Sequence, residues 1–203
     1  MLSKKLLGSK SVGAAPYSGD IAVAHAGYPF IAVYPWSSSG FGTKYANPAT
    51  PPNFTAYAVA FSPDGTDIAV VHGNGARVSV YPWSAGFGTK YADPSTPPAS
   101  TGYGVAFSPD GADIAIATTN TPYISVYPWS SGFGTRYANP STLPPNDGNG
   151  VAFSPDGADI AVVHDSSPYI TVYPWSSSGY GTKYANPSTL PAGTGNGVAF
   201  SPA

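Results

Sequence analysis

Histidines recur at one position of a repeated pattern. His25, His72 and His164 each end a run that begins Asp-Ile-Ala, and Thr118 stands at the same place in a further copy. Three imidazoles could ligate zinc only if all lay about 2 Å from one atom. Each histidine belongs to a different repeat, where it ends the second predicted strand. If the repeats surround a common axis, these strands lie away from that axis, and the three side chains are too far apart to share one metal ion. We therefore predict structural histidines, no metal site and no cofactor.

Acidic residues recur in pairs around a turn. The pairs are Asp64/Asp67, Asp110/Asp113 and Asp156/Asp159. Carboxylates suit Ca²⁺, and an acid–base mechanism needs two carboxylates with distinct roles. Every acid here recurs by repeat rather than standing out in one, and Ser-Pro-Asp-Gly is a turn sequence. We predict turn residues, no catalytic site and a protein that is not an enzyme.

Aromatic residues form a third recurrent group. Each copy carries Tyr-Pro-Trp followed by a glycine-rich turn, and the tryptophans are Trp36, Trp83, Trp129 and Trp175. Because each follows a proline at the end of a strand, we treat the four as candidate ligand-binding aromatics in loops. Their repetition would make binding multivalent. Packing between repeats is the alternative interpretation, and the pattern favours it.

The repeat has a period of about 46 residues. The four tryptophans are spaced 47, 46 and 46 apart, and "VAFSP" begins at 59, 105, 151 and 198. One unit contains four predicted strands, exemplified by "GVAFSP", "DIAVVH", "YITVY" and "GTKYANP". The third strand alternates apolar and polar positions and is predicted to end at Pro174. Four short antiparallel strands per unit of this length are typical of a β-propeller blade.

The predicted fold class is therefore an all-β propeller of four-stranded antiparallel blades, with four blades per chain. The absence of Glu among the 203 residues also disfavours long helices. We place an N-terminal arm at 1–11 and the propeller at 12–203. Its blades cover approximately 12–58, 59–104, 105–150 and 151–197, with a closing strand at 198–203. The first strand of the first blade, 12–16, lacks the Phe and the turn of the other copies.

The last residues repeat an intact first strand. We expect this strand to complete the N-terminal blade and close a ring, and its residues are Val198, Ala199, Phe200, Ser201 and Pro202. The chain could close on itself as a four-bladed propeller, or two chains could close each other into an eight-bladed ring. Small residues between the blades favour the wide ring, and two-fold dimers are the commonest oligomers. The homodimer is thus the favoured of the two.

Composition excludes several classes of partner. The net charge is −2, and Lys4, Lys5 and Lys10 supply three of only eight basic residues. A nucleic-acid-binding surface needs clustered positive charge, so none is predicted. There is no Cys and hence no disulfide framework. No apolar run approaches the roughly 18 residues of a membrane span, and the N-terminal run of two is shorter than the roughly 7–15 of a secretory signal.

The motif "VAFSPDG" followed by two strands resembles the WD40-like propeller family over most of the chain. The resemblance departs from that family at Tyr34, Tyr81, Tyr127 and Tyr173, which stand where the family has Trp, with Pro in place of the following Asp. The stretch "ANPSTLPAGTGNGVAFSP" is similar to the near-identical repeats of propeller-like proteins from bacteriophages and environmental viruses. This second resemblance implies a structural component of the virion, often of the tail, a fibre or the capsid surface.

We accordingly expect a non-enzymatic structural or binding propeller, associated with a phage virion or tail, that contacts other proteins or the host surface. A multivalent carbohydrate-binding, lectin-like propeller is the alternative, in which glycans are the ligands. The expected location is the virion, or otherwise outside the cell or in the cytoplasm. The arm is predicted to dock on other virion proteins through Leu2, Lys4, Lys5, Leu6 and Leu7.

Overall fold

The computed structural model describes residues 18–202. The predicted arm and the degenerate strand at 12–16 lie outside the described residues. The described chain folds into strands that recur with the period of the sequence. These are β1 (Gly19–Ala24), β2 (Ile31–Ser37), β3 (Gly40–Phe41), β4 (Ala56–Phe61), β5 (Asp67–His72), β6 (Val78–Pro82), β7 (Gly102–Phe107), β8 (Asp113–Thr118), β9 (Ile124–Pro128), β10 (Gly148–Phe153), β11 (Asp159–His164), β12 (Ile170–Ser176) and β13 (Gly179–Tyr180).

The strands form four separate antiparallel sheets, which we number as blades 1 to 4. Blade 1 has the order β1-β2-β3, blade 2 β4-β5-β6, blade 3 β7-β8-β9 and blade 4 β10-β11-β12-β13. The all-β propeller architecture of repeated antiparallel blades is confirmed. The turn that joins the first two strands of blade 2 needs a glycine, because Gly65 has φ of 72°, a conformation that side chains disfavour.

The second and third strands of blades 2 and 3 are covered on both faces. Every residue of β5 and of β8 is buried, as the continuous apolar run predicts. Alternate residues of β5 point in opposite directions, so that Ile68 and Val70 face blade 1 while Ala69 and Val71 face blade 3. We call the side of a blade that faces the preceding blade its front face, and the other side its back face.

The third and fourth strands differ from the sequence prediction. β12 continues through Pro174 to Ser176, because Pro174 lies opposite Asp159 and its missing N–H leaves no gap in the ladder. A regular fourth strand over "GTKYANP" is corrected to a two-residue strand that begins earlier, at Gly40 or Gly179. In blades 2 and 3 it is reduced to a single bridge. The proline of the third strand cannot donate to an outer neighbour, which limits regular pairing there.

The hydrophobic core consists of layers between adjacent blades. The front face of blade 2 packs on the back face of blade 1, which contributes Ile31 and Val33. Blades 2 and 3, and blades 3 and 4, repeat this arrangement with the corresponding residues. At about 25 cal/mol per Å² of buried apolar surface, such layers are the main source of stability. One blade has no core of its own, so the order of blades determines which side chains meet.

The C-terminal segment lies against blade 4 without joining a sheet. Residues 195–202 carry no strand, although the Gly195 N–H donates to the carbonyl of His164 at 3.2 Å. β1 pairs with β2 on one side. Within residues 18–202 no backbone hydrogen bond joins the segment to β1. The ring closure predicted for Val198, Ala199, Phe200, Ser201 and Pro202 therefore stays a prediction.

Candidate functional site

A buried aspartate connects each pair of neighbouring blades. Asp67, at the start of β5, is 6% exposed. One carboxylate oxygen accepts a hydrogen bond from the hydroxyl of Tyr91 in its own blade, and the other accepts from the indole N–H of Trp129 in blade 3; both distances are 2.9 Å. The carboxylate is thus hydrogen-bonded on both oxygens, which is what a buried charge requires. This group has a structural role at the blade interface.

The same arrangement recurs along the chain. Asp20 accepts from Tyr45 and Trp83, Asp113 accepts from Tyr137 and Trp175, and Asp159 accepts from Tyr184. Burial, followed by the hydrogen bond to Asp113, raises the pKa of Tyr137 to about 12. The phenol therefore stays protonated and remains a donor at any pH near neutrality.

Three of the four candidate tryptophans lie inside blade interfaces. Trp83 and Trp129 are 6% exposed and Trp175 is 7% exposed. Their rings also make edge-to-face contacts, for example between Trp129 and Phe133 with centroids 5.1 Å apart. Trp36 is partly buried and lies 4.9 Å from the ring of Phe41. The packing interpretation accounts for these three buried rings. They expose little surface on which a ligand could bind.

Sequence reasoning missed the role of the second aspartate of each pair. The first, Asp64, is a turn residue: it accepts from the Ser62 hydroxyl at 2.6 Å and from the Thr66 N–H at 3.1 Å. The hydrogen bond from Ser62 is the main cause of its lowered pKa. The second, Asp67, meets a tryptophan 62 residues away. The signal in the sequence was that the Asp, Trp and Tyr residues recur with the same period of about 46 residues. The period does not show whether an aspartate bonds to the tryptophan of its own repeat or of the next one.

Of the recurrent histidines, His72 and His164 are buried and His25 is partly exposed. The Nδ1–H of His164 donates to the Ser166 carbonyl at 2.8 Å, so Nε2 of the neutral ring accepts from the Thr171 hydroxyl at 3.0 Å. Burial lowers the pKa of both His164 and His72. Among residues 18–202 there is no group of three side chains that could hold a metal ion. The geometry fits the structural interpretation of these histidines.

An aromatic and acidic surface lies where the first strands of blades 2 and 3 begin. The rings of Tyr57 and Tyr103 are 41% and 36% exposed, with centroids 4.6 Å apart. Burial is the main cause of the raised pKa of Tyr103, to which Tyr57, Asp147 and Asp165 add. We name Tyr57, Tyr103, Asp147 and Asp165 the tyrosine–aspartate patch. Its members come from three blades, so only the assembled fold forms it.

No basic side chain within residues 18–202 forms an ion pair with the two carboxylates of the patch. Burial, followed by repulsion from Asp165, raises the pKa of Asp147. Asp165 accepts a hydrogen bond from the Asn149 amide at 2.6 Å. In the described part of the chain the one ion pair is Lys90–Asp93, on the outer segment of blade 2. The patch thus combines two exposed aromatic rings with uncompensated negative charge, a combination that attracts cationic side chains.

The blades and their turns define the fold class: the chain is a β-propeller of repeated antiparallel blades. The described residues contain no helix that could cross a membrane. No family model matches the sequence, and no curated protein matches it.

Solved structures share the fold at low sequence identity. Chaetomium thermophilum Sqt1, bound to the N-terminus of the ribosomal protein L10, is 19% identical with a TM-score of 0.66, covering 89% of this chain and 48% of that one. A putative 6-phosphogluconolactonase from Bacteroides uniformis is 17% identical with a TM-score of 0.60, covering 81% and 54%. Kuenenia stuttgartiensis hydrazine synthase is 16% identical with a TM-score of 0.54, covering 75% and 42%. The chain spans about half the length of these structures, and the likeness shows the fold alone.

Proposed function

We propose that this chain is a non-enzymatic binding propeller whose tyrosine–aspartate patch engages a positively charged segment of a partner protein. The observation that carries the proposal is the exposed ring pair of Tyr57 and Tyr103 beside the carboxylates of Asp147 and Asp165. Aromatic anchors are enriched at protein interfaces. Sqt1, which has this fold, was solved bound to a protein N-terminus, and that precedent supports a protein segment as the ligand.

The chemistry of the patch defines the expected ligand. A lysine or arginine side chain would lie over a tyrosine ring and reach a carboxylate, which gains about 0.5–1 kcal/mol from the ring at an exposed site. Repulsion between Asp147 and Asp165 is relieved when a cation lies between them. Binding should therefore weaken with salt, because exposed charges are screened over about 10 Å at 0.1 M ionic strength.

Selection from a displayed random-peptide library tests this function. We expect enriched peptides to carry lysine or arginine next to an aromatic residue, and to lose at least tenfold in affinity for the Tyr57→Ala/Tyr103→Ala and Asp147→Asn/Asp165→Asn variants. The Asp93→Asn variant removes a carboxylate elsewhere on the surface and is the matched control, with unchanged affinity expected. No enrichment, or equal affinity for all variants, would refute the proposal.

The setting that we propose for this binding is a bacteriophage virion, where the propeller would be associated with the tail or capsid surface. The support is the resemblance of its repeats to those of viral propeller-like proteins. The N-terminal arm, with Leu2, Lys4, Lys5, Leu6 and Leu7, would tether it to other virion proteins. Co-sedimentation of the full chain with purified particles, lost on removal of residues 1–11, is the expected result; a chain that never sediments with particles would exclude this role.

Carbohydrate binding is the second candidate function. It is favoured by the exposed rings of Tyr57 and Tyr103, on which sugar rings could stack, and by the neighbouring Asn149 amide. The tryptophans of the repeat support it less, because Trp83, Trp129 and Trp175 are almost fully covered. A glycan array discriminates the two functions: saturable glycan binding that Tyr103→Ala abolishes would favour the lectin, and peptide binding without glycan binding would exclude it.

A further inference from the structure

Three blade–blade contacts within the chain share one set of interactions. In each, an indole and a phenol of the following blade donate to acceptors of the preceding one. The indole bonds are Trp83–Asp20, Trp129–Asp67 and Trp175–Asp113, all 2.9 Å. The phenol bonds, to backbone carbonyls, are Tyr81–Thr50, Tyr127–Thr96 and Tyr173–Thr142, of 2.7–2.8 Å. Each preceding blade thus presents one aspartate and one threonine carbonyl.

The back face of blade 4 presents these acceptors, and no tryptophan or tyrosine of a following blade within residues 18–202 donates to them. The Tyr184 hydroxyl reaches one oxygen of Asp159 at 2.9 Å, but no indole within residues 18–202 reaches the other. Ile170 and Val172 are partly exposed, whereas their counterparts in blade 1 are 1% exposed. With Tyr184 and Pro187 they line an apolar groove of about 430 Å³. The back face is therefore built to receive another blade.

The front face of blade 1 is open in the complementary way. Val23 is 44% exposed, whereas its counterparts in blades 2 to 4 are fully buried. Phe41 is 65% exposed. The indole N–H of Trp36 and the hydroxyl of Tyr34 make no hydrogen bond to any residue in the described range 18–202, although their counterparts in the other three blades all do. Blade 1 thus has unused donors of the kind that the unfilled acceptors of blade 4 require.

The described part of blade 1 has no strand that corresponds to the first strand of blades 2 to 4. In blades 2 to 4 the first strand packs on the preceding blade and pairs with the second strand of its own sheet. The C-terminal segment already makes the first of these contacts: the Gly195 N–H donates to His164 at 3.2 Å, as the Ala56 N–H donates to His25 at 3.3 Å. It lacks the second, since no described second strand is available to it. β1 is a second strand whose other edge has no described partner.

We propose that two copies of this chain close each other into one eight-bladed ring, in which residues 195–202 of each copy pair with β1 of the other. Trp36 would donate to Asp159 of the partner subunit, and Tyr34 to the carbonyl of the partner subunit's Thr189. The two equivalent contacts are related by a two-fold axis and leave no open end, which is the closed symmetry that stable oligomers adopt. The register of β4 on β5 places Val198 opposite Val23, Ala199 opposite Ala22 and Phe200 opposite Ile21.

A second copy fits the open back face of blade 4 because the open front face of blade 1 carries the matching groups. These are the indole and phenol donors and the apolar side chains that the internal interfaces also use. Within residues 18–202, one chain supplies an unfilled acceptor set on blade 4 and an unfilled donor set on blade 1. Its own described ends make no hydrogen bond to each other. Unpaired strand edges are templates for pairing with another chain, and the internal interfaces define which chain fits here.

The first test is the mass of the full chain in solution, measured by light scattering after gel filtration. We expect twice 20.7 kDa for the unaltered chain and 20.7 kDa for the Val23→Asp variant, whose circular dichroism should be unchanged because Val23 is exposed within one chain. Phe54→Asp, at a comparable exposure of 48% outside the proposed contact, should stay dimeric. A wild-type mass of 20.7 kDa, or open polymers of increasing mass, would overturn the proposal.

The second test does not depend on the fold tolerating a charge. The chain has no Cys, so Val23→Cys and Val198→Cys can be made in separately tagged chains. Opposed residues of antiparallel strands lie about 4.5–5.5 Å apart at Cα, within reach of a disulfide. We expect a mixed disulfide between the two tagged chains after mild oxidation. If the Val23→Cys/Val198→Cys double variant instead links within one chain at 20.7 kDa, the four-bladed self-closure is correct and the dimer is wrong; no disulfide in either experiment also refutes the pairing.

Discussion

Asp67 offers the sharpest test of how the blades are held together. Its carboxylate accepts one hydrogen bond from Tyr91 in its own blade and one from Trp129 in the next. Replacing Asp67 by Ala removes both bonds and leaves the buried indole N–H of Trp129 without an acceptor. We expect this substitution to destabilise the protein strongly.

The size of the expected stability loss follows from the hydrogen bonds and the burial of Asp67. A hydrogen bond to a charged group contributes about 1.5–3 kcal/mol, so two of them contribute roughly 3–6 kcal/mol to the free energy of unfolding. Removing a carboxylate that is 6% exposed also removes its desolvation penalty, which offsets part of the loss. We therefore expect Asp67→Ala to lower the free energy of unfolding by about 3–4 kcal/mol.

Urea denaturation followed by circular dichroism, at one fixed protein concentration, measures this loss. Trp129→Phe keeps an aromatic ring and removes only the N–H donor. A double-mutant cycle with Asp67→Ala and Trp129→Phe should give a coupling energy of about 1.5–3 kcal/mol, because the two residues share one charged hydrogen bond.

The matched control is Asp64→Ala in the same turn. Asp64 is exposed, and its carboxylate bonds only to Ser62 and Thr66 among residues 18–202, so its loss should be much smaller. A loss below about 1 kcal/mol for Asp67→Ala, a value usual for surface substitutions, would refute the reasoning. So would a coupling energy of zero with Trp129.

Two further predictions concern buried side chains. Burial lowers the pKa of His72 and His164 below the 6.5 of the free side chain. As the pH falls below 6.5, the unfolded chain therefore takes up protons before the folded one, and the free energy of unfolding falls. Above pH 6.5 the stabilising contribution of the two neutral histidines is fully present. Replacing both by Thr, the residue at Thr118, should flatten the urea midpoint between pH 7 and pH 5, and an unchanged slope would contradict the assignment. Tyr127→Phe loses the bond to the Thr96 carbonyl and should cost about 1 kcal/mol, equally at pH 6 and pH 9 because burial raises the pKa of Tyr127 to about 12; a cost near zero at either pH would argue against that bond.

Local patterns in the sequence determined the architecture. The period of about 46 residues, the Ser-Pro-Asp-Gly turns and the alternation of Ile170, Thr171 and Val172 depend on contacts between residues close in the chain. Such patterns predicted the blades, their antiparallel pairing and the double burial of the second strand. The predicted fourth strand was too long. A proline in the neighbouring third strand removes a backbone N–H donor, and the residue pattern of the fourth strand itself gives no sign of this loss.

Only the tertiary structure decided which side chains meet. Asp67 and Trp129 stand 62 residues apart, and a repeat predicts equally well that each aspartate bonds within its own copy. The tyrosine–aspartate patch combines residues of three blades, so no single repeat contains it. The open faces of blades 1 and 4 likewise follow from stacking order: the same residue types are fully buried in the middle of the array and exposed at its ends, because burial depends on a neighbouring blade and not on the residue itself.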